Sequence, residues 1–337
     1  MNDQNGSSRF ELYLVKLEAL LLQSAKDKNP ALWLYSNNAR TTLFMLESLA
    51  KLYAGSHNKK RFEKIKEHFK NLEDTLGAID YYNTLAKEFA GDISIPATVT
   101  AYLQAQTREK IQRLNELLTE EKWIGDKASR VRKIREKLAD TDWKEPKEEL
   151  KSIFDFYKSS ISEIKEFMAT VGDQFTEIEA QVHDIRRKLR WLSIYPQALQ
   201  GVIQLTDGVK TTDSLLKYLT PEIVHSPFNQ MPPPGSHSYF LLLEKKYFLA
   251  LSWTIAELGV LKDKGLKILA VTEALQQTEG LLHEAALEKT FEIFGGDKQV
   301  LQLILEKATN ICKSYLEEKK LDNMIHGISS SKNIKAL

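Results

Sequence analysis

The stretch Glu179-Ala-Gln-Val-His183-Asp-Ile-Arg186-Arg187-Lys188-Leu189-Arg190-Trp191 carries two patterns at once. Ile178, Val182, Ile185, Leu189 and Leu192 recur every three or four residues, the period of an amphipathic helix. His183, Arg186, Arg187 and Arg190 stand beside that stripe at i, i+3, i+4 and i+7, which places them on one helical face. Three guanidiniums and an imidazole so close together repel one another. Unpartnered, the arrangement costs stability; with an anion laid across it, the same arrangement is a site.

The helical period extends outward in both directions. Towards the N-terminus it predicts helices over 10–26, 30–53, 58–89 (loosened at Gly77), 96–122, 127–139 and 147–171. Beyond the basic stretch, Thr206 to Ser238 holds Gly208, Pro221, Pro227 and the run Met231-Pro-Pro-Pro-Gly235. It reads as a long, largely non-helical connection with a short helix near 214–219. Helices resume over 239–263, 266–294 (with a break near Gly280) and 297–324. No segment alternates convincingly with a period of two. The expected fold is all-α, about ten helices packed as bundles. One unit is expected over 1–325, in halves of about 8–140 and 146–325 with a Pro-rich insertion at 206–238, followed by a flexible tail at 326–337.

Composition narrows the function. Among 337 residues, 47 Lys and Arg face 46 Asp and Glu, for a net charge of +1. A chain built to coat nucleic acid is more basic than this, so an anion site must be local, and sequence-specific nucleic-acid binding is not expected. Cys312 is the only cysteine, which excludes an internal disulfide. The polar start Met1 to Arg9 is not a secretory signal. The most apolar run, Tyr239 to Leu261, contains Glu244, Lys245, Lys246 and Glu257 and is too charged to span a bilayer. A cytoplasmic protein with no membrane partner is the expectation.

Catalytic and metal signals are weak. Glu222-Ile-Val-His225 is a single Glu-x-x-His where a di-iron bundle needs two. His283-Glu-Ala-Ala-Leu287 lacks the second histidine of a zincin. With no Walker A sequence and no Gly-x-Ser-x-Gly either, no enzyme activity, metal or cofactor is expected. The basic residues have plainer readings too. The stripe could be a solvated face or find Asp and Glu partners on neighbouring helices. Arg40 could be a structural ion pair. The cations from Lys127 to Lys137 read as a solvated basic helix able to extend an electrostatic funnel. The five tryptophans read as packing residues.

The halves of the chain echo each other. Leu34-Tyr-Ser-Asn37-Asn-Ala-Arg40-Thr-Thr-Leu43 aligns with Ala180-Gln-Val-His183-Asp-Ile-Arg186-Arg-Lys-Leu189. Leu76-Gly77-Ala-Ile-Asp80 aligns with Leu258-Gly259-Val-Leu-Lys-Asp263. In these features the chain resembles the conserved-histidine α-helical domain (CHAD) family over roughly residues 10 to 325. Its halves each carry a His-x-x-Arg helix and a later Leu-Gly-x-x-x-Asp turn. In the first half Asn37 stands at the histidine position, Thr41, Thr42 and Phe44 stand where cations would, and Arg40 remains. The resemblance implies two pseudo-symmetric helical bundles and non-catalytic binding of inorganic polyphosphate or another polyanion along a basic groove. The residues it points to are His183, Arg186, Arg187, Arg190 and Arg40. The alternative is a degenerate member that serves as a helical scaffold for another protein.

Overall fold

The computed structural model describes residues 6–125 and 128–330. The described residues are predominantly helical, in thirteen helices joined by one small sheet. The chain forms two compact units. Of the described residues, the first comprises Gly6–Trp143 together with Lys267–Lys298; the second comprises Lys144–Leu266 and residues 299–330. The units divide near residue 143, and residues 267–298 pack with the first unit. Lys127, expected to open the basic helix, lies outside the described residues, as do residues 331–337 of the expected tail.

In the first unit the helices are α1 (Gly6–Ser24), α2 (Pro30–Ser36), α3 (Ala39–Ala54), α4 (Lys59–Phe89), α5 (Ala97–Glu120) and α6 (Ser129–Ala139). Helix α4 is the centre, with α3 on one side and α5 on the other. Phe62, Ile65, Phe69, Leu72 and Leu76 repeat down one face of α4 and are buried, with the Phe62 ring against Phe10. A single helix was expected over 30–53; the chain breaks it at Asn37 and Asn38. Asn38 takes a left-handed backbone (φ 53°), and the Asn37 amide donates to the Trp33 carbonyl, ending α2. The expected loosening at Gly77 does not occur. The space that a side chain would take there is occupied by the Arg40 guanidinium, and α4 runs through.

The second unit begins with α7 (Pro146–Val171), followed by a π-helical turn (Ile178–His183) that leads directly into α8 (Asp184–Ala198). Then come β1 (Ile203–Thr206), α9 (Asp213–Leu216), α10 (Pro221–Val224), a 3-10 turn (Pro227–Asn229) and β2 (Tyr239–Glu244). Helix α11 (Lys245–Glu279) belongs to the second unit up to Leu266 and to the first from Lys267. Helix α12 (His283–Ile293) lies in the first unit; α13 (Gln299–Glu317) and β3 (Ile325–Ser330) close the second.

The sheet is a departure from the expected purely helical pattern. Its order is β1-β2-β3, with β1 parallel and β3 antiparallel to β2, and α7 packs on β2 and β3. Central β2 pairs Leu241 with Ile203 on one side and with Ile328 on the other. Its run Phe240-Leu-Leu-Leu243 is buried on both faces, so it shows no alternation. Gly327 to Ser330, expected in the flexible tail, are ladder partners of β2, and His326 sits at an irregularity in the ladder. There the His326 ring lies 2.8 Å from the buried Glu244 carboxylate, which also accepts from the Gly208 N–H.

The Pro-rich connection is largely non-helical, as its prolines require, yet it is pinned. Tyr218 is buried edge-on against Trp253, and its hydroxyl donates to Glu318 at 2.6 Å. Gly201, with φ 93°, sits so close to the Pro233 carbonyl that a Cβ would meet it at 2.1 Å. The Gln204 amide donates to the Pro232 carbonyl at 3.0 Å.

Candidate anion-binding site

The basic stretch starts in a π-turn because its first residues are tied from both sides. The Gln181 side-chain oxygen accepts from the Thr176 and Glu177 N–H groups at 2.6 and 3.1 Å. The Val182 N–H bonds the Glu177 carbonyl, five residues back. Ile178 is driven against Gly265 of α11, where a Cβ would lie 2.5 Å from its Cδ1. His183 closes the π-turn and Asp184 opens α8. Single π-turns inside helices recur at functional sites, because the extra residue re-aims the side chains that follow it.

His183 is half-buried, and its pKa is lowered to about 4. Burial is the main cause; Lys262, Arg187 and Arg186 add to it, and Asp184 opposes it. The ring is therefore neutral at neutral pH, and it does not charge near pH 6.5 as a free histidine would. Arg186 is also half-buried, which lowers its pKa, with Asp263 opposing; it remains a cation. Its Nε donates to the Ile255 carbonyl at 3.1 Å, and the guanidinium lies over Gly259, within 3.1 Å of where a Cβ would be. Arg187 is exposed, and its Nη2 stands 3.5 Å from Asp184. Lys262 pairs with Asp263 at 2.6 Å.

The structure thus gathers His183, Arg186, Arg187 and Lys262. Lys262 is the residue that reading the sequence missed. Its only signal was its place before Asp263 in the Leu-Gly turn, which faces Arg186 across the packed glycine. Arg190 follows one turn after Arg186 on α8, is half-buried, and its carbonyl accepts from Ser193. Lys188 points elsewhere, over the Phe167 ring.

Arg40 lies in the first unit and shows the same local contact with a different charge balance. Its guanidinium covers Gly77, where a Cβ would come within 2.6 Å of Nη2. Its Nε donates to the buried Glu73 carboxylate at 2.6 Å, and its Nη1 reaches Asp80 at 3.3 Å. The two contacts share a register. Glu73 stands four residues before Gly77, and Ile255 stands four residues before Gly259. In the first unit that position supplies a carboxylate to the arginine Nε; in the second it supplies only a backbone carbonyl. Arg40 is consequently held by two anions, whereas the Nε of Arg186 meets a neutral acceptor.

Among the described residues no three His, Cys, Asp or Glu side chains cluster as a metal site, and no helix is long and apolar enough to cross a membrane. Cys312 is buried, which raises its thiol pKa to about 12. Comparison with family models, curated proteins and solved structures gave no match to this chain.

Proposed function

We propose that the protein binds a phosphate-rich polyanion without chemistry, inorganic polyphosphate first, through the surface around His183, Arg186, Arg187 and Arg190, with Lys262 added. The observation that carries this reading is the gathering of Arg186, Arg187 and Lys262 around the half-buried His183, whose pKa they lower further after burial. Cations gathered this closely repel one another and attract anions. Arginine forks match phosphate oxygens, and Lys262 supplies a point charge. The likeness to the CHAD family is supported by the arginine-on-glycine contact, found once in each unit at the same register.

Arg40 is the weakest member of this set, because Glu73 and Asp80 already neutralise it. That balance, with the near-zero net charge of the chain, favours the second reading of a helical scaffold for another protein. Binding isotherms in a salt series separate the two. Polyphosphate should bind at low salt and weaken steeply as salt rises, by counterion release. The triple variant Arg186→Gln, Arg187→Gln, Arg190→Gln should lose most of that affinity and flatten the slope, while Arg40→Gln changes neither. A wild-type protein that does not bind at low salt would leave the scaffold as the better reading.

A further inference from the structure

The first unit contains a second concentration of cations, on two helices that face each other. Arg61, Lys64 and His68 follow one another at i, i+3 and i+7 on α4; Arg130, Lys133 and Lys137 do the same on α6. The helices run antiparallel. At one end the Arg61 Nη1 donates to the Lys137 and Asp140 carbonyls, at 3.1 and 2.7 Å, and to the Thr141 hydroxyl at 3.1 Å. At the other end the Arg130 Nη1 lies 3.3 Å from the His68 Nε2, and its Nε donates to the Glu121 carbonyl at 2.9 Å. The two arginines therefore lock the register and bring Lys64, Lys133 and Lys137 to the middle.

These three lysines have no ion pair among the described residues, and Lys64 and Lys133 are exposed. Of the neighbouring carboxylates, Glu63 takes Lys66, Glu136 lies 4.0 Å from Arg132, Glu121 lies between His68 and Arg130 at one end, and the exposed Glu67 stands three residues after Lys64. The Lys137 ammonium feels the crowding. Burial lowers its pKa first, and Lys64, Arg130, Arg61 and Lys133 each lower it further.

We propose that the facing rows of α4 and α6 form a separate anion-binding ladder that takes a linear run of closely spaced phosphates. Seven residues of helix span about 10 Å at 1.5 Å per residue, so the charges lie along a line and not around a pocket. Lysines are point charges that follow a flexible chain without reading planar groups. Of the nearby aromatics, Trp123 is fully buried and Trp143 is half-buried among Phe10, Tyr53, His57 and Phe62, which leaves nucleobases little stacking surface and favours a chain of bare phosphates.

The full-length protein tests this with Lys64→Gln, Lys133→Gln and Lys137→Gln combined, which spares the arginines that hold the helices. Inorganic polyphosphate affinity at low salt should fall by about tenfold or more, and the log–log salt slope should become shallower by ~2, as expected for three lost phosphate contacts. The combined Lys→Arg variant should retain binding. Without ligand the Gln variant should melt at a higher temperature, because repulsion has been removed. Amide exchange should show polyphosphate protecting α4 near residues 61–68 together with α6. Repeating the isotherms with Arg186, Arg187 and Arg190 replaced separates this ladder from the first site: the loss due to the lysines should persist there. Unchanged affinity and slope in the Gln variant, or no protection of α4 and α6, would overturn the proposal. Single-stranded RNA of equal charge should bind more weakly; equal binding that depends on the same lysines would overturn the assignment to bare phosphates.

Discussion

An imidazole set among Lys262, Arg187 and Arg186 has two reasons to stay neutral, burial and like charge, and both act at His183. Their consequence for stability has a definite sign. Above about pH 6.5 the ring is neutral in the folded and unfolded chain and contributes nothing. As pH falls from there towards 4, the unfolded chain takes up a proton that the folded chain refuses, so stability is lost across that window. His68, also lowered by burial and by Arg130, acts in the same direction. The melting temperature should therefore drop between pH 7 and pH 5, and His183→Gln should shrink the drop. An NMR titration should place the His183 midpoint near 4 and move it upward when polyphosphate is added, since an anion offsets the surrounding cations. A midpoint near 6.5 in the free protein would show that the ring is not held as described. Two glycines make a second residue-scale test. At Gly259 a Cβ needs the arginine to yield by a few tenths of an ångström, whereas alanine gains up to ~1 kcal/mol of helix propensity. Gly259→Ala should be neutral or slightly stabilising in urea unfolding. Gly77→Ala must dislodge a guanidinium bonded to Glu73 and Asp80, and it should be net destabilising by about 1–2 kcal/mol.

At the scale of elements, the connection between β1 and β2 is the instructive case. Its prolines keep it out of long helices, but Tyr218 nails it to Trp253 and Glu318. Tyr218→Ala should cost ~3–5 kcal/mol by urea unfolding, and Tyr218→Phe only about 1 kcal/mol for the lost hydroxyl contact. Amides around Tyr218 should exchange slowly, and fast exchange there would contradict the packing. Most helices were legible in the sequence because one face of each repeats its apolar residues, as Phe62, Ile65 and Phe69 do in α4. What escaped has physical causes. Strand β2 is apolar on both faces, so its period cannot be told from that of a buried helix. Strand β3 contains His326 and Gly327 and is ordered by tertiary contacts, pairing with β2 and packing against α7. The break at Asn38 carries neither glycine nor proline. In the candidate site, the arginine stripe was visible as a pattern. The neutral state of His183 and the recruitment of Lys262 were not, because both depend on α11 lying against α8.

At the scale of the whole molecule, a nearly neutral chain carries two local concentrations of cations, one around α8 and one between α4 and α6. The first unit is also discontinuous in sequence. Val99 and Leu103 of α5 and Leu85 and Phe89 of α4 share a core with Ala270, Val271, Ala274 and Leu275 of α11 and Ala286 of α12. A chain ended at residue 266 should leave that core open. It should bind a hydrophobic dye and melt without a cooperative transition, and adding 267–298 as a separate peptide should restore part of the transition. A cooperative melt of the shortened chain would show that the late segment is dispensable.

The same discontinuity sets a timetable during synthesis. Domains ordinarily complete themselves in the order in which they leave the ribosome, N-terminal first. Here the earliest helices must wait for the last part of their own core, made about 150 residues later, or roughly 8–30 s at cellular translation speeds. Through that interval Leu85, Phe89, Val99 and Leu103 have no permanent cover, while the continuous part of the second unit is being made. The nascent protein therefore spends its most vulnerable period with its first-made unit unfinished, and holding factors that shield apolar helix faces should raise its yield more than factors that act after release.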